Sequence, residues 1–137
     1  MNNKTVIDAN IVVKWFTKEQ GHTQAKALRD SHIQHKIELT APDLLLYELA
    51  NALRYNKNLT PEDVKQAIKT INMIQVTLIP PTEILINRAI DVAEKHGITI
   101  YDASYLALAE ILETNLITAD EKLAQKTPAN VNTLDTK

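Results

Sequence analysis

Cysteine is absent from the 137-residue chain. That excludes disulfides, iron–sulfur clusters and every zinc site built on thiolate. The four histidines, His22, His32, His35 and His96, include no pair at i, i+4, so a helical two-imidazole zinc motif is excluded as well. All four read as solvent-facing or helix-end residues. Glycine occurs twice and proline five times, too few for a linker or a low-complexity segment. With one Trp, four Tyr and one Phe, an extended base-stacking platform is not expected. No apolar run approaches the roughly 18–20 residues that cross a bilayer. Met1-Asn2-Asn3-Lys4-Thr5 leads into an apolar stretch too short for a secretory signal. A cytoplasmic protein without membrane contact is expected. Neither sign of charge dominates: 15 basic and 17 acidic side chains leave a formal charge of −2. Nucleic-acid binding by bulk positive charge is thereby excluded, and binding by a local site stays open.

What is present is an alternation of β-branched runs and longer helical stretches. Thr5-Val6-Ile7 reads as a buried strand, followed by a short helix through Ile11, Val12, Trp15 and Phe16. A helix over about 22–35 turns Ala25, Leu28 and His32 or Ile33 inward. Glu38-Leu39-Thr40 is a strand ending at Pro42, and Asp43 is placed to cap a helix reaching about Asn56. Thr60-Pro61-Glu62-Asp63 combines a capping threonine, a first-turn proline and first-turn acids, which starts a helix to about Asn72. Val76 to Ile79 is a strand stopped by two prolines. Thr82 opens a further helix that Gly97 closes in a left-handed cap. A helix over about 103–113, the strand Leu116-Ile117-Thr118, a short helix after Asp120 and a strand near 131–134 complete the pattern. Such alternation predicts right-handed βαβ crossovers and a parallel sheet covered on both faces. One α/β domain spanning 1–137 is expected.

Most carboxylates, Glu19 among them, have polar neighbours and read as solvated. Four do not. Asp8 interrupts Val6-Ile7-Asp8-Ala9-Asn10-Ile11-Val12-Val13 at the end of the first strand. Glu48 follows Leu44-Leu45-Leu46-Tyr47, Asp102 sits in Ile98-Thr99-Ile100-Tyr101-Asp102-Ala103, and Asp120 ends Leu116-Ile117-Thr118-Ala119-Asp120. An ionised carboxylate in apolar surroundings costs several kcal/mol unless paired with charge. The basic residues nearest in sequence are Lys14 and Arg54, so a cation from outside the chain is the economical partner. Ligands of parallel sheets bind at the carboxyl ends of strands, which is where Asp8 and Asp120 fall. On a 3.6-residue period Glu48 and Asn51 share a helix face and look together into a cleft beside the core. Each aspartate also has a plain reading as a helix N-cap. Four acids in matched contexts favour a shared site.

Val6-Ile7-Asp8-Ala9-Asn10, Tyr47-Glu48-Leu49-Ala50-Asn51-Ala52-Leu53, Tyr101-Asp102-Ala103-Ser104-Tyr105-Leu106-Ala107-Leu108-Ala109 and Leu116-Ile117-Thr118-Ala119-Asp120 together resemble the motifs of the PIN-domain nucleases. Within that family the chain is most similar to the VapC-type ribonuclease toxins of type II toxin–antitoxin modules. The resemblance covers nearly the whole chain, in order. It implies a three-layer α/β/α fold with a mainly parallel sheet of four or five strands. It makes Asp8, Glu48, Asp102 and Asp120 the catalytic, metal-binding quartet, with Asn10 and Thr118 as supporting polar groups, to which the helix face shared with Glu48 adds Asn51. It further implies Mg²⁺ or Mn²⁺, endonucleolytic cleavage of RNA to a 5′-phosphate and a 3′-hydroxyl, a homodimer, and a cognate antitoxin. Oxygen donors without histidine or cysteine suit Mg²⁺ better than zinc. On this reading Asp8 and Asp102 contact the principal ion. Glu48 and Asp120 act through water or a second ion, and the Thr118 hydroxyl holds Asp120 or a metal water.

Lys14, Lys18, Arg54, Lys57 and Lys122 flank the site and are candidates for phosphate contact, although solvated surface lysines read the same way. Two other classes stay open. A PIN-like module that binds RNA or protein without cleavage would carry the same motifs. A receiver-type signalling domain also places carboxylates at strand ends, but Asp8 lacks the adjacent acid and the late lysine that such a domain needs. With the four acids set aside, the rest of the chain carries +2 in place of −2. The slight acidity is then a concentrated site on a near-neutral scaffold.

Overall fold

Five short strands, each rich in β-branched or aliphatic residues, build the centre of the molecule in a computed structural model that describes residues 3–127 and 130–134. Met1 and Asn2, which belong to the N-terminal segment read above, lie outside the described residues. In chain order the elements are β1 (Lys4–Ile7), α1 (Ala9–Val13), α2 (His22–Ile33), β2 (Glu38–Pro42), α3 (Leu44–Arg54) and α4 (Pro61–Met73). They continue as β3 (Thr77–Ile79), α5 (Glu83–His96), α6 (Ile100–Ile111), β4 (Leu116–Thr118), α7 (Glu121–Lys126) and β5 (Val131–Thr133). All strand pairs are parallel, in the order β3-β2-β1-β4-β5. The expected three-layer α/β/α arrangement is therefore present, with five strands in the sheet.

The order matters for the site. The chain lays β2 and β3 on one side of β1, then returns to place β4 on the other side. The direction of winding thus reverses between β1 and β4, and a crevice opens at their carboxyl ends. The core beneath it is aliphatic: Val6, Ile7, Leu39, Leu45, Leu106 and Leu116 are fully buried. Buried apolar area of this kind is the main favourable contribution to folding. Trp15 joins the core past the end of α1, its indole N–H donating to the Ala25 carbonyl at 2.8 Å. Among the described residues no helix is long and apolar enough to cross a membrane.

Helix ends follow local chemistry, with three departures from expectation. Thr60 and Asp63 form a reciprocal capping box, and Gly97 closes α5 at φ 63°, both as the sequence predicts. Asp43, however, makes no side-chain cap, because its backbone is already helical at φ −66° and ψ −13°. The helix α6 starts at Ile100, not near Ala103, because Thr99 caps it by accepting the Asp102 N–H at 3.0 Å. His32, read both as a solvent-facing histidine and as an alternative to Ile33 on the inner face, takes the inner place: it is 7% exposed, and Ile33 is 48% exposed. Its Nδ1 accepts from the Leu39 amide at 3.0 Å and its Nε2–H donates to the Ile74 carbonyl at 2.7 Å. This imidazole ties α2 to β2 and to the end of α4, a structural role that its polar sequence neighbours conceal.

Candidate active site

Asp8 directly follows β1 and occupies the N-cap position of α1, yet its side chain makes no cap hydrogen bond. Its Oδ2 accepts instead from the Thr118 hydroxyl at 2.8 Å and from the Asn10 amide at 3.4 Å. Asn10 also donates to Thr118 Oγ1 at 3.2 Å, and its Oδ1 accepts from the Ala119 N–H at 2.9 Å. Thr118 Oγ1 in turn accepts the Asp120 N–H at 3.1 Å. Asn10 and Thr118 therefore stitch the end of β1 to the end of β4 across the point where the sheet order reverses. Thr118 does hold Asp120, as expected, but through the Asp120 backbone N–H, while its own hydroxyl proton goes to Asp8.

Asp8, Glu48 and Asp102 line one cleft of about 320 Å³, together with Ala9, Asn10 and Glu19. They arrive from β1, α3 and α6. The fourth acid, Asp120, stands at the N-cap of α7, where its Oδ1 accepts from the Leu123 N–H at 3.0 Å. It lies outside the cleft lining but close enough for its charge to act on Asp102. Of the three aspartates that could have been caps, only Asp120 is one. A larger cavity of about 570 Å³ lies at the opposite ends of the strands, among His32, Ile33, Ile37, Glu38 and Met73. Volume does not select the site; the gathered carboxylates do.

The electrostatics are those of acids pressed together without a protein cation. Burial raises the Asp8 pKa from 3.8 to about 7, the charges of Glu48 and Asp102 push the same way, and the Thr118 hydrogen bond opposes them. Burial likewise raises Glu48, with the Asp102 charge adding and a hydrogen bond from Tyr105 opposing. Asp102 is raised by burial and by Asp120, against the bond from Thr99. Among the described residues no lysine, arginine or histidine lines the cleft. An all-oxygen donor set of this charge suits a hard divalent cation. Among the described residues no three acids or imidazoles are gathered closely enough to chelate an ion alone. The fit is therefore to a cation that takes one or two carboxylates and keeps part of its water shell.

Other expected residues fall outside the cleft. Asn51 is exposed, and Ala52 lines the cleft in its place. The cleft meets α3 along the i, i+4 row from Glu48, not the i, i+3 row. Lys14 is engaged on its own loop: its Nζ donates to the Gln20 carbonyl at 2.7 Å and stands 3.6 Å from Glu19. Lys18, Arg54, Lys57 and Lys122 are exposed and outside the lining. Two residues were not singled out for the site by sequence reasoning. Glu19 carried no local signal, since its neighbours are polar. Tyr105, whose hydroxyl donates to Glu48 Oε1 at 2.6 Å, follows Asp102 by one helical turn, a spacing that placed both on one face of α6.

Similarity to known proteins bears on the family and the fold. The PIN-domain family profile matches residues 5–127. A curated relative, ribonuclease VapC3 of Pyrobaculum aerophilum, is 32% identical over 132 residues, covering 93% of this chain and 98% of the relative. Among solved structures, Mycobacterium tuberculosis VapC20, described as a sarcin-ricin loop cleaving toxin, superposes with a TM-score of 0.72 at 18% identity, over 93% of this chain and 98% of that one. A toxin–antitoxin complex from Klebsiella pneumoniae superposes with a TM-score of 0.65 at 18% identity, over 93% of this chain and 94% of the other. The two superpositions speak for the fold.

Proposed function

This chain belongs to the PIN-domain family, and we propose from that premise that it is a Mg²⁺- or Mn²⁺-dependent endoribonuclease acting as the toxin of a toxin–antitoxin pair. The observation that carries the reading is the cleft where Asp8, Glu48 and Asp102 meet at the β1–β4 switch, with Asp120 beside Asp102. Three raised carboxylates with no protein cation among them need positive charge from outside. When bound there, such a cation supplies Lewis acidity: it activates water for attack at phosphorus and offsets the charge that develops on the phosphodiester. Asp8 and Asp102 are its direct carboxylates in this reading, and Glu48 and Asp120 act through water.

The protein's own contribution is rigidity and charge placement. Thr118 and Asn10 hold the Asp8 carboxylate from two directions, so little reorganisation is needed when substrate arrives. Arg54, Lys57 and Lys122 are exposed and available to phosphates. Lys14 is occupied by Glu19 and Gln20 and contributes less. RNA as substrate draws support from the ribonuclease VapC3, and an antitoxin partner from the fold shared with the Klebsiella complex. A homodimer is part of the same reading.

The test uses the purified chain, total RNA and Mn²⁺, with EDTA as control. Cleavage is expected with Mn²⁺ alone, at internal positions, leaving 5′-phosphate ends. Asp102→Asn should abolish it while the circular dichroism spectrum stays unchanged. Undiminished cleavage by the folded variant would overturn the mechanism. Binding of RNA by the parent chain without any cleavage would favour a non-cutting module.

A further inference from the structure

Tyr105 is among the largest fully buried side chains, at 1% exposure, in the middle of α6. A buried tyrosine hydroxyl needs a partner, and a neighbouring backbone carbonyl would suffice for packing. Tyr105 instead reaches across to α3 and donates to Oε1 of Glu48 at 2.6 Å, within the short range of charge-assisted O–H···O⁻ bonds. It is the one hydrogen bond given to the Glu48 side chain among the described residues. The second carboxylate oxygen is left for the cleft that Glu48 lines. Tyr105 also stands one helical turn from Asp102, so a single rigid helix carries both groups.

We propose that Tyr105 is a positioning residue, whose hydroxyl locks the Glu48 carboxylate toward the cleft so that α6 supplies Asp102 directly and Glu48 at second hand. The proposal rests on the nuclease reading, since the locked carboxylate is there to receive a divalent cation. A free glutamate samples several rotamers, and each orientation that turns away from the cleft is a state from which the cation must be rebound. The phenol removes those states without taking up the oxygen that faces the site. Loss of such an outer partner typically costs 10–100-fold in metal affinity.

The test is calorimetric titration of the full chain with Mn²⁺ alone, on the parent, Tyr105→Phe, Glu48→Gln and the double variant. Tyr105→Phe keeps the ring and should weaken Mn²⁺ binding by about tenfold. In the Glu48→Gln background the same change should weaken it no further. Glu48→Asp, which withdraws the carboxylate from the phenol without touching the core, should reproduce the loss and make Tyr105→Phe silent. A role in packing alone would lower the urea midpoint equally in both backgrounds and leave Mn²⁺ affinity unchanged, and that result overturns the proposal. Additive losses overturn it too. A parent chain that cleaves RNA and binds Mn²⁺ beside a Tyr105→Phe of equal affinity refutes the positioning role alone. A parent chain that binds no Mn²⁺ refutes the nuclease reading and this proposal with it.

Discussion

Replacing Asp8 by asparagine should stabilise the metal-free protein at neutral pH while removing its activity. Asp8 is 6% exposed, and burial, with Glu48 and Asp102 reinforcing it, lifts its pKa from 3.8 to about 7. In the unfolded chain the carboxyl loses its proton near pH 4. In the folded chain it keeps the proton until about pH 7. Between those values the folded state binds more protons than the unfolded one, so stability falls as pH rises. Below about pH 4 the contribution is fully present, and above about pH 7 it is fully lost. At about 1.4 kcal/mol per pH unit, the loss amounts to about 4 kcal/mol, a large share of a typical domain's net stability. Glu48 and Asp102, both raised by burial, add in the same direction.

Asparagine has no such transition. The informative quantity is the difference in unfolding free energy between Asp8→Asn and the parent, from urea titrations in EDTA across this range. Acids elsewhere titrate in both chains and cancel. The difference should be near zero at pH 4 and should favour the variant by about 2–4 kcal/mol at pH 8. The lower figure allows for Thr118, which loses a charged acceptor. Mn²⁺ at a hundred times its dissociation constant should then stabilise the parent by about 2.7 kcal/mol and leave the variant unmoved. A difference that stays flat from pH 4 to pH 8 would refute the reasoning, because the buried charge would then cost nothing.

Further substitutions probe the frame around that charge. Thr118→Val keeps the shape of the side chain but removes the hydroxyl shared by Asp8, Asn10 and the Asp120 amide. It should cost about 1–3 kcal/mol in urea denaturation and weaken Mn²⁺ binding about tenfold by calorimetry; unchanged values in both would remove Thr118 from the site. His32→Ala strips partners from Leu39 and Ile74 and leaves a void, so a loss of about 2–4 kcal/mol is expected, read from the denaturant midpoint. Gln75 holds φ 60° just past the end of α4, where a side chain is strained and glycine is not. Gln75→Gly should therefore raise the melting temperature, by the equivalent of about 0.5–1 kcal/mol; a lower melting temperature would show that the side chain contributes more than its backbone costs.

The acids of the site were legible because each breaks an apolar run, three of them at a place where a strand ends or a helix begins. Burial of a charge is an anomaly that local sequence displays. What joins the acids is not displayed in the same way. Thr118 sits 110 positions from Asp8 and Tyr105 sits 57 from Glu48, and no local pattern relates residues so far apart. The sheet order supplies the first connection, since β4 returns beside β1. The second follows from α6 and α3 both packing against β2, which brings Tyr105 within reach of Glu48. Asn51 was misplaced for a smaller reason. A helix face is wide enough to include both i+3 and i+4, and only the neighbouring elements decide which row meets the cleft.

Capping chemistry separates the aspartates more sharply than periodicity does. Thr99-Ile100-Tyr101-Asp102 follows the threonine-x-x-acid pattern of a helix start, so the cap of α6 was readable as Thr99, three residues before the acid. Thr99 accepts the Asp102 N–H, so the helix start is capped by the threonine, and the Asp102 carboxylate, though bonded to Thr99, lines the cleft. Asp8 stands at a cap position but gives its Oδ2 to Thr118 and Asn10, so the first turn of α1 forgoes about 1 kcal/mol of capping. Asp120 does cap its helix and is the one acid of the four outside the cleft lining. The acid that caps its own helix is the one that stands back from the cleft. At Asp8 the local hydrogen bond is surrendered, and the carboxylate is left for a charge that the chain itself does not provide.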